Sequence, residues 1–113
     1  MSLIKDLNDK KQLMYMTPRK SFWEKLKSSV EGEYPGITSF MEQNYPTLSK
    51  KDLHLFWILC AKVSPQIIKL CMGYSSVTTV SNYKKRLIKE RMGLDMKFEQ
   101  FLQAYLDGNL DSK

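Results

Sequence analysis

Between Ser75 and Arg91 the chain reads SSVTTVSNYKKRLIKER, and at helical spacing this stretch separates into two faces. Thr78, Asn82, Lys85 and Lys89 recur at i, i+4, i+7 and i+11, while Val80, Tyr83 and Leu87 fall on the opposite side. A hydroxyl, an amide and two long cations in one row are donor and acceptor types that read base edges: Asn pairs in bidentate fashion with adenine, and Lys with guanine. Such a row, on a helix held by its apolar back, is shaped to enter a nucleic-acid groove. Every surface helix has a charged outer face, so the preceding elements carry the decision.

No catalytic arrangement accompanies the row. The one histidine, His54, has no cysteine or serine at a suggestive spacing, and the chain contains neither a glycine-rich phosphate loop nor a carboxylate cluster. That pattern argues against an enzyme with a small-molecule substrate. His54 falls on the polar side of its helix and reads as exposed. Cys60 and Cys71 lie inside apolar helical patterns and read as buried, reduced thiols, since free Cys behaves as a small hydrophobe. A zinc site needs more ligands at closer spacing, so no cofactor or metal is expected.

The charge is unevenly spread. Residues 48–94 hold nine Lys/Arg against two Asp/Glu, whereas residues 1–47 hold seven against six and residues 95–113 two against four. The middle segment thus carries +7 of a net +6, and positive charge concentrated around the row favours a polyanion, because phosphate neutralisation releases condensed counterions. With 113 residues, 42% hydrophobic and 27% charged, the chain suits one globular domain with a real core. It has no apolar run of about 18 residues and no apolar leader, so the expectation is a cytoplasmic protein or the cytoplasmic part of a larger sensor.

The elements that must position the row read as all-α. Residues 1–16 are a linker or helix end; Met1-Ser2-Leu3 is compatible with a cloning remnant, in which case the chain is a fragment. Residues 17–47 read as two supporting helices: Thr17-Pro18 as cap and first position, then Phe22, Trp23, Leu26 and Val30 on one face to an end near Gly32. Tyr34-Pro35-Gly36 breaks the chain, and Ile37, Phe40, Met41 and Tyr45 form a second stripe that stops before Pro46.

A third helix starts at Ser49 with Asp52 in a capping box and buries Leu53, Phe56, Trp57 and Cys60. Ser64-Pro65 opens a short helix with Ile67, Ile68, Leu70 and Cys71 on it, and Gly73 offers a left-handed cap before Ser75-Ser76 cap the basic helix. Asp95 is expected to cap a last helix carrying Phe98, Phe101, Leu102 and Tyr105, closed by Gly108; residues 107–113 form a tail. That helix seals the core or pairs subunits. A long helix, a short helix, a glycine turn and a basic helix form the helix-turn-helix order, here a three-helix core plus a C-terminal helix over residues 48–106.

The same stretch resembles the LuxR/GerE-type DNA-binding domain in Leu48-Ser49, Ser64, Ile68, Gly73-Tyr74-Ser75, Thr79-Val80 and Met92-Gly93-Leu94. With Trp23, Tyr34-Pro35-Gly36 and Tyr45-Pro46, it is more closely similar to C-terminal regulatory domains found behind TPR repeats and a membrane span in sensor-regulators of gut anaerobes, over roughly residues 20–106. Two departures are an extra residue before Thr79-Val80 and proline at position 65, where LuxR-type domains usually have a polar residue. The resemblance implies a winged-helix-like fold, a bacterial transcription regulator, an upstream sensor region, and a last helix able to pair subunits in a homodimer.

The expected function is therefore sequence-specific binding of double-stranded DNA in transcriptional regulation. Thr78, Asn82, Lys85 and Lys89 would meet base edges, and Lys50, Lys51, Lys62, Ser76, Lys84 and Arg86 would meet phosphates. The alternative is a protein-interaction module that keeps the helix-turn-helix shape and docks through Tyr74, Phe101 or Tyr105. RNA binding is the weaker option, because the aromatic residues fall on core-facing stripes and not on a stacking sheet.

Overall fold

In a computed structural model the described residues are 20–108; their regular elements are all helices joined by short turns, with no strand among them. The expected features at 1–16, Thr17-Pro18 and 109–113 lie outside them. Six α-helices follow in order: α1 (Lys20–Glu33), α2 (Ile37–Asn44), α3 (Lys50–Cys60), α4 (Pro65–Met72), α5 (Val77–Arg86) and α6 (Phe98–Asp107). α5 runs on into a single π-type turn, Leu87–Arg91.

Helix starts obey local chemistry. The Ser49 hydroxyl accepts from the Asp52 N–H at 3.1 Å and the Asp52 carboxylate accepts from the Ser49 N–H at 3.1 Å, the reciprocal capping box expected at α3. Ser64 accepts from the Ile67 N–H at 3.4 Å and places Pro65 at the first position of α4, where its missing N–H leaves no bond unmade. α6 differs from expectation: it begins at Phe98, with Lys97 as the N-cap, and its first turn is closed by the Gln100 side chain accepting from the Lys97 N–H at 2.9 Å. Asp95 stays in the preceding turn, two residues before that cap.

α3 is the element around which the others are arranged. Its residues Leu55 to Cys60 are all buried in succession, so no face of its second half meets water. α1 and α4 pack directly on α3, α5 packs on α4, and the Phe56 ring receives Phe98 and Phe101 of α6 at centroid distances of 5.5 and 5.9 Å. Fully burying a ring such as Phe56 or Phe101 contributes roughly 1.5–3 kcal/mol each, and edge-on aromatic contacts add to that. Phe101 and Leu102 are thus core residues, with α6 sealing the bundle.

The C-terminal half of α6 is latched to the first turn of the bundle. The Tyr105 hydroxyl donates to the Pro35 carbonyl at 2.6 Å, beside Gly36 at φ 84°. A Cβ on Gly36 would sit 3.1 Å from that hydroxyl oxygen, so both the backbone angle and the close approach require glycine there. The same turn is tied by Glu31, whose carboxylate accepts from the Gly36 and Thr38 N–H groups and is held below the usual carboxylate range by them. Left-handed Gly36 is thus the break after α1, and Gly32 is helical.

Candidate functional site

The segment from Gly73 to Lys97 carries the candidate site. Gly73, at φ 72°, closes α4 in the left-handed conformation, and the Tyr74 N–H bonds back to the Lys69 carbonyl at 3.0 Å. Two residues on, the Ser76 hydroxyl caps α5 by accepting from the Thr79 N–H at 3.3 Å, and it shares a second bond with the Thr79 hydroxyl at 3.0 Å. Its lone pairs therefore serve the helix start, which limits what Ser76 has to offer a phosphate.

Val80, Leu87 and Ile88 are buried and fix α5 on the bundle, while Thr78, Asn82, Lys85 and Lys89 are all exposed on its outer side. Tyr83, expected on the apolar side, is instead 39% exposed and leans on Tyr74 at a centroid distance of 4.9 Å. The core side of this helix is completed by Ile88, in the turn where the winding changes.

That change is the π turn. The Met92 N–H donates to the Leu87 carbonyl at 2.9 Å, five residues back, so the backbone advances fewer degrees per residue here than in α5. Leu87 and Ile88, at i+7 and i+8 from Val80, are both buried at the start of this turn. Lys89, in that turn, lines a cleft with Ser81, Lys84, Lys85 and Ile88. The expected uniform row is thus an α-helical row through Lys85, followed by Lys89 in a different winding.

The other expected cations divide into free and engaged. Lys50 and Lys51 at the start of α3, and Lys62 just past its end, are exposed and have no ion pair among the described residues. Lys62 takes a left-handed φ of 57°, rare for a residue with a Cβ, because it carries the chain out of α3. Lys84 is ion-paired with Glu99 of α6 and lies 5.9 Å from the Phe98 ring centre, and its ammonium holds the Glu99 carboxyl below the usual range. Arg86 pairs with Glu90 at 3.4 Å and covers the Tyr83 ring at 5.7 Å.

Clefts flank the row on both sides. One, of about 570 Å³, opens between α5 and residues 95–100, with Lys84, Lys85, Lys89 and Lys97 at its rim over Ile88 and Phe98. The other, of about 330 Å³, lies between the start of α3 and the end of α5, lined by Lys51, Tyr74, Tyr83, Arg86 and Arg91. Lys97 and Arg91 had no place in the periodicity. Lys97 sits in a turn and Arg91 beyond the α-helical winding, so only a tertiary neighbour identifies them, and for Arg91 that is Asp52 at 3.8 Å.

Elsewhere, His54 is half-buried and lies flat against Trp23, 4.1 Å between ring centres and 6° between planes, so it is not the exposed bystander expected. Polar-side placement on α3 did not anticipate that α1 lies across it. Cys60 and Cys71 are buried free thiols, as expected; burial pushes Cys71 up to about 11 and Cys60 well above its ordinary value, so neither is a thiolate at neutral pH. Among the described residues no three His, Cys, Asp or Glu side chains gather as a metal set, and no helix is long and apolar enough to cross a membrane.

Comparisons with protein-family models, with curated proteins and with solved structures gave no match.

Proposed function

We propose that this chain is a sequence-specific double-stranded DNA-binding module of the helix-turn-helix type, acting in transcriptional regulation as the output part of a larger sensor-regulator. The observation that carries the reading is the exposure of Thr78, Asn82, Lys85 and Lys89 on a helix whose back is pinned by Val80, Leu87 and Ile88. Two further features support it. α3, the short α4, the Gly73 turn and α5 follow in the order of that motif, and the net charge of residues 48–94 matches a phosphate-bearing partner.

In this reading α5 enters the major groove and Asn82 reads adenine while Lys85 reads guanine. Lys50, Lys51 and Lys62 meet phosphates and fix register without selecting sequence. Lys84 and Arg86 are held by Glu99 and Glu90, so they contribute less free charge than their type suggests. The test is duplex-DNA affinity measured between about 50 and 200 mM salt. Three unpaired phosphate-facing lysines predict a log–log slope of roughly −3, at about −0.9 per contact; binding that ignores salt, or none at all, would sink the proposal.

A second reading, docking of a protein through the face of Tyr74 and Tyr83, is favoured by one observation. Two tyrosines in contact beneath Arg86 are the residue types that dominate protein interfaces. The same salt titration separates the two, since a tyrosine-centred contact carries no steep counterion term.

A further inference from the structure

The cleft of about 570 Å³ between α5 and residues 95–100 is more than an accident of packing. Its rim gathers Lys84, Lys85 and Lys89 from the basic helix and Lys97 from the turn before α6, four cations from two separate segments. Facing them are two carboxylates, Asp95 and Glu99, which leaves the rim at +2. Glu99 is ion-paired with Lys84 and also attracts Lys97, whereas Lys85 and Lys89 have no ion pair among the described residues. Positive charge thus stays in excess around one opening, and an anion would offset it.

We infer that this cleft seats the sugar–phosphate backbone of one strand of the duplex, with Lys97 as a phosphate contact and Glu99 as a clamp that withholds Lys84 from the same strand. The inference rests on the DNA-binding reading and extends it to a second segment of the chain. The path follows from placement: Lys85 and Lys89 stand on the border between the base-facing row and the cleft, so a helix lying in the groove brings one groove wall over the opening. Ile88 and Phe98 form an apolar floor that keeps the lysine stems extended toward the rim, with their charged ends in water.

The two ends of the arrangement respond oppositely to substitution. Lys97→Ala removes the phosphate contact and an exposed attraction to Glu99, but it keeps the backbone N–H that donates to Gln100 at the start of α6. Its affinity should fall about three- to tenfold on preferred and random duplexes alike, with the salt slope flatter by about one. Glu99→Gln keeps the size of the side chain, removes a negative charge from the strand's path and frees Lys84, so both duplexes should bind more tightly and the slope should steepen.

The experiment is fluorescence anisotropy of labelled preferred and random duplexes against wild type, Lys97→Ala, Lys97→Gln and Glu99→Gln, each titrated with salt and checked for helical content. Uniform weakening by both Lys97 variants together with tightening by Glu99→Gln supports the seat. Wild-type binding of ordinary salt slope, with Lys97 variants unchanged or Glu99→Gln not tightened, overturns the seat and leaves the DNA reading standing. A wild-type chain that binds neither duplex overturns both.

Discussion

At the scale of single residues, the proposed DNA reading assigns discrimination to Asn82, the one amide in the exposed row of α5. Replacing it with alanine removes a bidentate partner for adenine, so Asn82→Ala should cost about 1–3 kcal/mol on the preferred site and much less on random DNA. Equal losses on the two duplexes would assign Asn82 to the backbone. His54 makes a prediction about stability. Burial holds it below the ordinary imidazole value of 6.5, Lys50 pushes the same way and Glu24 opposes. The folded chain keeps the ring neutral where the unfolded chain has begun to protonate. The unfolded state thus binds more protons, and this share of stability is complete above about pH 6.5 and lost as pH falls through the lower folded value. The urea midpoint should therefore drop between pH 7 and 5 by more in the wild type than in His54→Gln. Matching drops would show that the stack on Trp23 does not couple to the proton.

At the scale of elements, α6 decides whether the basic helix has a platform. It puts Phe98, Phe101 and Leu102 into the core beside Phe56 and begins with Lys97 and Glu99 at the cleft rim. Truncating Phe101, a fully buried ring, should destabilise the fold by about 3–5 kcal/mol, a large part of the ~5–15 kcal/mol that holds a domain of this size. Urea unfolding followed by circular dichroism measures it, and a loss below about 1 kcal/mol would mean that α6 is not integral to the core. Tyr83 departs from its expected apolar side with no change of winding: it lies in the α-helical stretch before the π turn, is exposed and meets Tyr74. Hydrophobic spacing does not tell which edge of an apolar stripe the neighbouring helices leave uncovered.

At the scale of the whole molecule, the proposed DNA binding makes charge the steering force. The +7 on residues 48–94 would raise the local concentration of a polyanion before any specific contact forms, so substitutions there should change affinity for all sequences together. Lys51→Ala, at the exposed start of α3, should weaken preferred and random duplexes to the same extent and flatten the salt slope by about one. Selective loss on the preferred site would move Lys51 from the phosphates to the bases. A single motif of this size covers only a short half-site, so two copies on a duplex with two half-sites one helical turn apart should bind more tightly than one copy on one half-site.

How much of this was legible in the amino-acid order depends on the range of the interaction. Caps and breaks are local: Ser49 with Asp52, Ser64 before Pro65, Ser76, Gly36 and Gly73 act within a few residues of themselves, and the sequence alone located them and the helices they bound. Burial of Leu26, Val30, Ile37, Phe56 and Phe101 followed from spacing for the same reason, since a helix face is set by its own period. Which cations are free was not local. Glu99 is fifteen positions from Lys84, and Trp23 is thirty-one from His54, yet each pair meets because α6 and α1 fold across α5 and α3. The exposed row and its residue types were therefore determined by sequence, while the cleft beside it and the engagement of Lys84 by Glu99 were decided by tertiary structure, where packing between helices brings distant charges together.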